Sequence, residues 1–179
     1  MLLLTIPAAE LFDDRTQEFI KTPEYKLQLE HSLVSISKWE AKWCKPFLTK
    51  EDKTYEETLD YIKCMTITQN VKDETYNRLT KSNIDEINNY ISESRTATTF
   101  SDNKSGTNRE IITSELMYYW MISLNIAMEC QKWHINRLLT LIRVCNVKNT
   151  SPKKMNKREI ASRYASLNAA RRKQFNSRG

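Results

Sequence analysis

Apolar residues recur along this chain with two distinct periods. Near the start, Tyr25-Lys26-Leu27-Gln28-Leu29 alternates apolar and polar, as a strand with one buried face does. Leu2-Leu3-Leu4-Thr5-Ile6 is an apolar run closed by Pro7, and Pro23 bounds the other run. Together the two predict a small antiparallel β element. From Leu29 onward the spacing is helical. Leu29, Leu33, Ile36, Trp39 and Trp43 recur at steps of 4, 3, 3 and 4, with Lys38, Glu40 and Lys42 elsewhere on the wheel, and Pro46 ends that helix. Thr54-Tyr55-Glu56-Glu57 has capping-box spacing, in which hydroxyl and carboxylate satisfy each other's orphan backbone donors. It opens a helix with Tyr55, Leu59, Ile62 and Met65 on one face. Short helices are predicted over 73–79 and from Ser82, where Ser-Asn-Ile-Asp is again a cap signature.

Residues 94–108 are rich in Ser, Thr, Asn and Asp around Gly106, which predicts a loop longer than most within a domain. Thr107-Asn108-Arg109-Glu110 is a second capping box. In the helix it opens, Leu116, Met117, Tyr118, Tyr119, Trp120, Met121, Ile122, Leu124 and Ile126 leave almost no polar face. A helix apolar all round belongs in the centre of a bundle or at a protein interface. The next segment, 129–145, carries Ile135, Leu138, Leu139 and Ile142 on one face, widened by Leu141 and Val144. Two readings stay open: a helical hairpin that forms the core, or a surface that partly faces a partner or another subunit. Residues 146–156 read as a polar linker containing Pro152. Asn156-Lys157-Arg158-Glu159 has cap spacing, and 160–174 reads as an Ala-rich basic helix with a thin stripe of Ile160, Tyr164, Leu167 and Arg171. Such a helix is marginal alone in water and orders on binding.

Charge divides the chain in the same place. The net +6 hides ten cations and one anion in 148–179, a local +9. That leaves 18 of the 28 cations and 21 of the 22 anions in 1–147, a local −3. The expected architecture is therefore mainly α: a bundle-like helical domain over 1–147 with a small N-terminal β element, and a basic helical arm over 148–179. Apolar content of 40% suits one domain with a real core. Four cysteines (Cys44, Cys64, Cys130, Cys145), no evident signal peptide, and a longest apolar-rich uncharged run of 13 residues (116–128) predict a cytoplasmic chain with reduced thiols and no membrane span.

Candidate chemistry is sparse. With two glycines, Gly106 and Gly179, the chain can build no Rossmann fingerprint, Walker A loop or nucleophile elbow. Cys130 and His134 share a helix face at i,i+4, but no C-x-x-C pair exists to complete a zinc site, and no third group orients a Cys–His couple. His31 follows Glu30 at a helix start, where a surface or cap role suffices. The pairs Asp13/Asp14, Glu51/Asp52 and Glu56/Glu57 lie near helix starts or in loops, where they complement helix dipoles. The expectation is a non-enzyme without metal or cofactor. The basic segment could neutralise several phosphates, although Tyr164 and Phe175 are its only aromatics.

Several segments carry a family resemblance. They are Leu29-Glu30-His31-Ser32-Leu33-Val34-Ser35-Ile36-Ser37-Lys38-Trp39-Glu40, Thr58-Leu59-Asp60-Tyr61-Ile62-Lys63-Cys64-Met65-Thr66, Ser114-Glu115-Leu116-Met117-Tyr118-Tyr119-Trp120-Met121-Ile122 and Trp133-His134-Ile135-Asn136-Arg137-Leu138-Leu139-Thr140-Leu141-Ile142. The closing Leu167-Asn168-Ala169-Ala170-Arg171-Arg172 completes the set. Together they resemble the tail assembly chaperones of long-tailed bacteriophages and prophages. The resemblance implies a non-virion protein of the host cytoplasm that coats the apolar, helical tape measure protein and helps recruit tail tube subunits. In that family a ribosomal frameshift often appends a second segment to some copies, and the charge change near Lys148 is a candidate junction. The wide apolar stripes supply the expected partner face, Met117, Trp120, Met121, Leu124, Trp133, Leu138 and Leu141, with Arg171, Arg172 and Lys173 as a second contact. Self-association stays open. The alternative is a phage-encoded nucleic-acid-binding or regulatory protein acting through the basic arm.

Overall fold

The computed structural model describes residues 1–13, 17–100, 111–150 and 157–176. The chain divides into two compact units, Met1–Asn146 and Val147–Gly179. It is mainly helical, with a small N-terminal β element. That element begins with β1 (Leu2–Ile6) paired antiparallel to β4 (Tyr25–Leu29), from Leu2 opposite Leu29 to Ile6 opposite Tyr25. Strand alternation puts Leu4, Ile6, Leu27 and Leu29 fully inside, with Leu3, Thr5, Lys26 and Gln28 outside. Each buried leucine or isoleucine stabilises the fold by about 1.5–3 kcal/mol relative to exposure.

A second ladder, which the apolar pattern did not predict, lies between these strands: β2 (Ala9–Asp13) against β3 (Glu18–Thr22). Its pairing, Ala9 opposite Thr22, continues the register of β1 and β4, so the two ladders form one interrupted ribbon. The interruption falls at Pro7 and Pro23, which have no N–H to give the ladder. There the Arg78 guanidinium donates to both proline carbonyls, at 2.7 and 3.0 Å.

Helix α1 (Leu33–Trp43) begins later than its periodicity suggested. Leu29 ends a strand instead. Ser32 is the N-cap, its hydroxyl accepting from the Ser35 N–H while the Ser35 hydroxyl accepts from the Ser32 N–H. The helix stops at Cys44, a left-handed C-cap with φ 51°, before Pro46. Helix α2 (Tyr55–Met65) opens on the expected Thr54–Glu57 box. Its inward face differs from the expected one: Tyr61, Ile62 and Met65 are buried and Tyr55 is exposed. Helix α3 (Asp73–Tyr76) is shorter than 73–79. Helix α4 (Lys81–Ser92) is capped by Thr80 with Asn83 rather than from Ser82, because the Thr80 hydroxyl accepts from the Asn83 N–H. Asn83 also donates to the Thr5 carbonyl at 3.0 Å and ties α4 to β1.

Helix α5 (Ser114–Ser123) has Thr113 as its N-cap. The box expected at 107–110 lies outside the described residues, as does 101–108 of the expected loop, while 94–100 is non-helical. A 3-10 segment (Met128–Lys132) then leads to α6 (Ile135–Asn149), so the expected helix from 129 is two elements. The end of α6 occupies the start of the expected linker; 151–156 lies outside the described residues. In the second unit, α7 (Lys157–Phe175) is helical, and every residue from 157 to 176 whose side chain is described is exposed. The core of the first unit is one cluster centred on Leu33, Ile36, Trp39, Met117, Met121 and Leu138, with α1 packed against α2 and α5.

Candidate functional site

Helix α5 is apolar on every side, yet the described residues cover only one side of it. Met117 and Met121 are fully buried, while Tyr119 and Ile122, on the opposite seam, are 64% and 67% exposed. Trp120 and Leu124 are half-buried against the core, as is Tyr118, whose hydroxyl donates to Gln131 Oε1 at 2.9 Å. The two exposed residues are spaced i,i+3, one turn apart on the surface.

The start of α5 is held by a buried carboxylate. Glu40 of α1 is 7% exposed; its Oε2 accepts from the Ser114 N–H and its Oε1 from the Phe47 N–H, both at 2.7 Å. A negative group at a helix N-terminus complements the positive end of its dipole, and a charge-assisted bond is stronger than a neutral one. Glu40 therefore fixes both the chain after α1 and the first turn of α5. The far end turns through Asn125 at φ 52°, and the Ile126 N–H donates to the Met121 carbonyl at 2.8 Å.

These positions correct part of the sequence expectation. Met117, Met121 and Leu138 are core residues with no exposed surface, so as folded they offer nothing to an outside partner. Trp120, Leu124, Trp133 and Leu141 are half-buried, and the Arg137 guanidinium lies 4.0 Å over the Trp133 ring. Arg171, Arg172 and Lys173 are exposed on α7, in the other unit. Tyr119 and Ile122 were missed. They belong to the same apolar run, but a helix apolar all round gives periodicity no phase, so which seam faces inward was not readable.

The two histidines were expected to play separate and minor parts. Instead His31 and His134 are both buried, with ring centroids 5.1 Å apart. A surface role for His31 is thereby overturned: it shares a 2.5 Å hydrogen bond between Nδ1 and the Tyr61 hydroxyl, and its carbonyl accepts from the Ile135 N–H. His134 Nε2 donates to the Tyr90 carbonyl at 3.0 Å, and its Nδ1 accepts from the Asn136 N–H at 3.3 Å. Both ring nitrogens are thus engaged, neither by Cys130. The Tyr90 hydroxyl bonds Glu30 Oε1 at 2.5 Å, and Glu30 Oε2 meets the Met1 ammonium at 2.7 Å. Burial, and then the neighbouring His134, push the His31 pKa down to about 3, and burial also lowers that of His134. Burial raises both tyrosine hydroxyls above their ordinary value. His31 is paired with the Tyr61 hydroxyl, His134 with backbone and the Tyr90 hydroxyl with Glu30, so each of these polar groups has a structural partner.

The carboxylates serve helices. Glu57 accepts from the Thr54 N–H at 2.8 Å and from Lys45 at 2.7 Å, and the Lys45 ammonium lowers its pKa. Asp60 takes Lys42 and the Trp43 indole N–H. Among the described residues no group of three or more His, Cys, Asp or Glu side chains is placed to hold a metal ion, and no helix is long and apolar enough to cross a membrane. Compared with known proteins, the chain matches no family model, no curated protein and no solved structure.

Proposed function

We propose that the first unit is a non-catalytic, protein-binding chaperone whose partner docks an apolar helix on the outward seam of α5. The observation that carries this reading is the exposure of Tyr119 and Ile122 on a helix whose other side is core. Large apolar side chains one turn apart, backed by half-buried aromatics, suit a helix-in-groove contact in which anchors recur at i, i+3 and i+4. Glu40 keeps that seam in place without a partner, so the surface is pre-organised and binding costs less ordering. With the family resemblance, the partner is the tape measure protein of a long-tailed phage, held soluble in the host cytoplasm before tube subunits replace the chaperone. The reading needs no contribution from Arg171, Arg172 or Lys173.

The test is co-expression with the long helical tail protein encoded beside this chain. The parent protein is expected to keep that partner in the soluble fraction. The double variant Tyr119→Ser/Ile122→Ser is expected to lose it by at least tenfold, with a thermal midpoint close to the parent's, because surface substitutions usually change stability by about 0.5 kcal/mol or less. Undiminished binding by the double variant, or a gene neighbourhood with no long helical protein, overturns the reading. A drop in the protein's own oligomeric mass in that variant would instead assign the seam to a second copy.

A further inference from the structure

The surface of α7 has a second kind of order, independent of the α5 seam and of the chaperone reading. At about 100° per residue, Ala161, Ala165, Asn168, Ala169 and Arg172 fall within one arc of roughly 100°. The alanines make that strip concave: Ala165, Asn168, Ala169, Arg172, Lys173 and Asn176 line a shallow depression along the helix. Arg171 flanks the strip on one side, beyond Tyr164 and Phe175, and Lys173 flanks it on the other, and the 157–176 stretch carries six cations against one anion. We propose that α7 is a double-stranded-DNA-binding helix that lays this strip in the major groove, with Asn168 and Arg172 toward base edges and Arg171 and Lys173 on the two phosphate walls.

Three features choose this occupant. An Ala-lined helix is narrow, and a helix of about 10–12 Å fits a groove about 12 Å wide, whereas the deep, narrow major groove of double-stranded RNA excludes it. Asn168 and Arg172, at i and i+4, are neighbours in the strip. They are the residue types whose paired hydrogen-bonding groups match adenine and guanine edges. The flank of the strip that carries Arg171 also holds Ile160, Tyr164, Leu167 and Phe175, so Arg171 sits in the middle of an apolar face. A charge in the middle of an apolar face opposes burial in a lipid surface, which wants the two kinds of residue segregated. Cations on both flanks of a concave strip complement two parallel rows of anions, an arrangement that DNA offers and a single acidic patch on a protein does not.

The full chain should bind a mixed-sequence duplex of about 20 bp in an anisotropy titration, with affinity falling steeply between about 50 and 200 mM salt. Arg171→Ala/Lys173→Ala should weaken binding at least tenfold and flatten the slope of log affinity against log salt by about 2, one counterion-release step per phosphate contact. Asn168→Ala changes no charge, so it should leave that slope intact while reducing the enrichment of any sequence selected from a randomised duplex pool. Circular dichroism checks that each variant keeps its helix. Tyr119→Ser/Ile122→Ser should bind DNA as the parent does, which separates this proposal from the chaperone reading. Absence of duplex binding at about 50 mM salt overturns the proposal, as does full binding by Arg171→Ala/Lys173→Ala. Tighter retention on phosphatidylserine vesicles, on single-stranded RNA or on polyglutamate than on duplex DNA overturns it in favour of that partner class.

Discussion

Helices α1 and α7 sit at opposite ends of the ways a helix can be held. Helix α1 is short, opens on a reciprocal Ser32–Ser35 cap, buries Leu33, Ile36 and Trp39, and lends its Glu40 carboxylate to two other backbone segments. Helix α7 is 19 residues long, and none of its described side chains is buried. Its stability comes from length and from four alanines at 161, 165, 169 and 170, the best helix formers. An isolated helix of that length is marginal in water. Packing thus fixes α1 in one state, whereas the described side chains of α7 are exposed along its length.

The widest test of that contrast is a core truncation. Trp39 is 1% exposed, stacks with Trp43, meets Phe47 edge to face, and donates from its indole N–H to the Glu57 carbonyl at 2.8 Å. Trp39→Ala is expected to cost about 3–5 kcal/mol, read as a fall in the urea midpoint of the tryptophan and tyrosine signal. A loss under about 1 kcal/mol would mean that α1 is not the centre of the fold.

Acidification should come next. His31 is neutral in the fold, with its pKa lowered to about 3 by burial and then by His134, whereas unfolded histidine takes a proton near its ordinary value. Because the folded pKa is depressed, the unfolded chain binds the extra proton. Stability is therefore complete above about pH 6.5 and falls as pH drops below it, by about 1.4 kcal/mol per unit toward the folded pKa. Between pH 6.5 and 5 the first unit should lose about 2 kcal/mol from His31. The loss should be much smaller in His31→Gln, and a midpoint equally acid-sensitive in that variant would refute the cause.

The smallest effect belongs to α7. Ala165→Gly/Ala169→Gly should lower its helicity, at about 1 kcal/mol per site, while leaving the urea midpoint of the first unit unchanged. A shift of that midpoint would show that the two parts are not stabilised separately.

What the chain revealed in advance follows the same division. The β1–β4 pairing was readable because Leu27 and Leu29 alternate with Lys26 and Gln28, and the α2 start because Thr54 and Glu57 stand at box spacing. The β2–β3 ladder was not, since its register is inherited from β1 and β4 rather than written in its own apolar pattern. His31 is inside because it meets His134 and Tyr61, and no local signal announces a partner so distant in sequence. The orientation of α5 escaped for the opposite reason, an excess of signal. Its seam became visible only when Met117 and Met121 were seen to be inside.

The broken ribbon has a consequence for how the chain avoids mispairing. A two-residue slip would keep every apolar side chain of β1 and β4 on its proper face, so the hydrophobic pattern alone cannot forbid it. It would, however, shift the Pro7 and Pro23 carbonyls relative to each other, and the Arg78 guanidinium now bonds both. Arg78 therefore works as an alignment gauge, adding a preference for the native register among the even slips that hydrophobicity alone leaves equivalent.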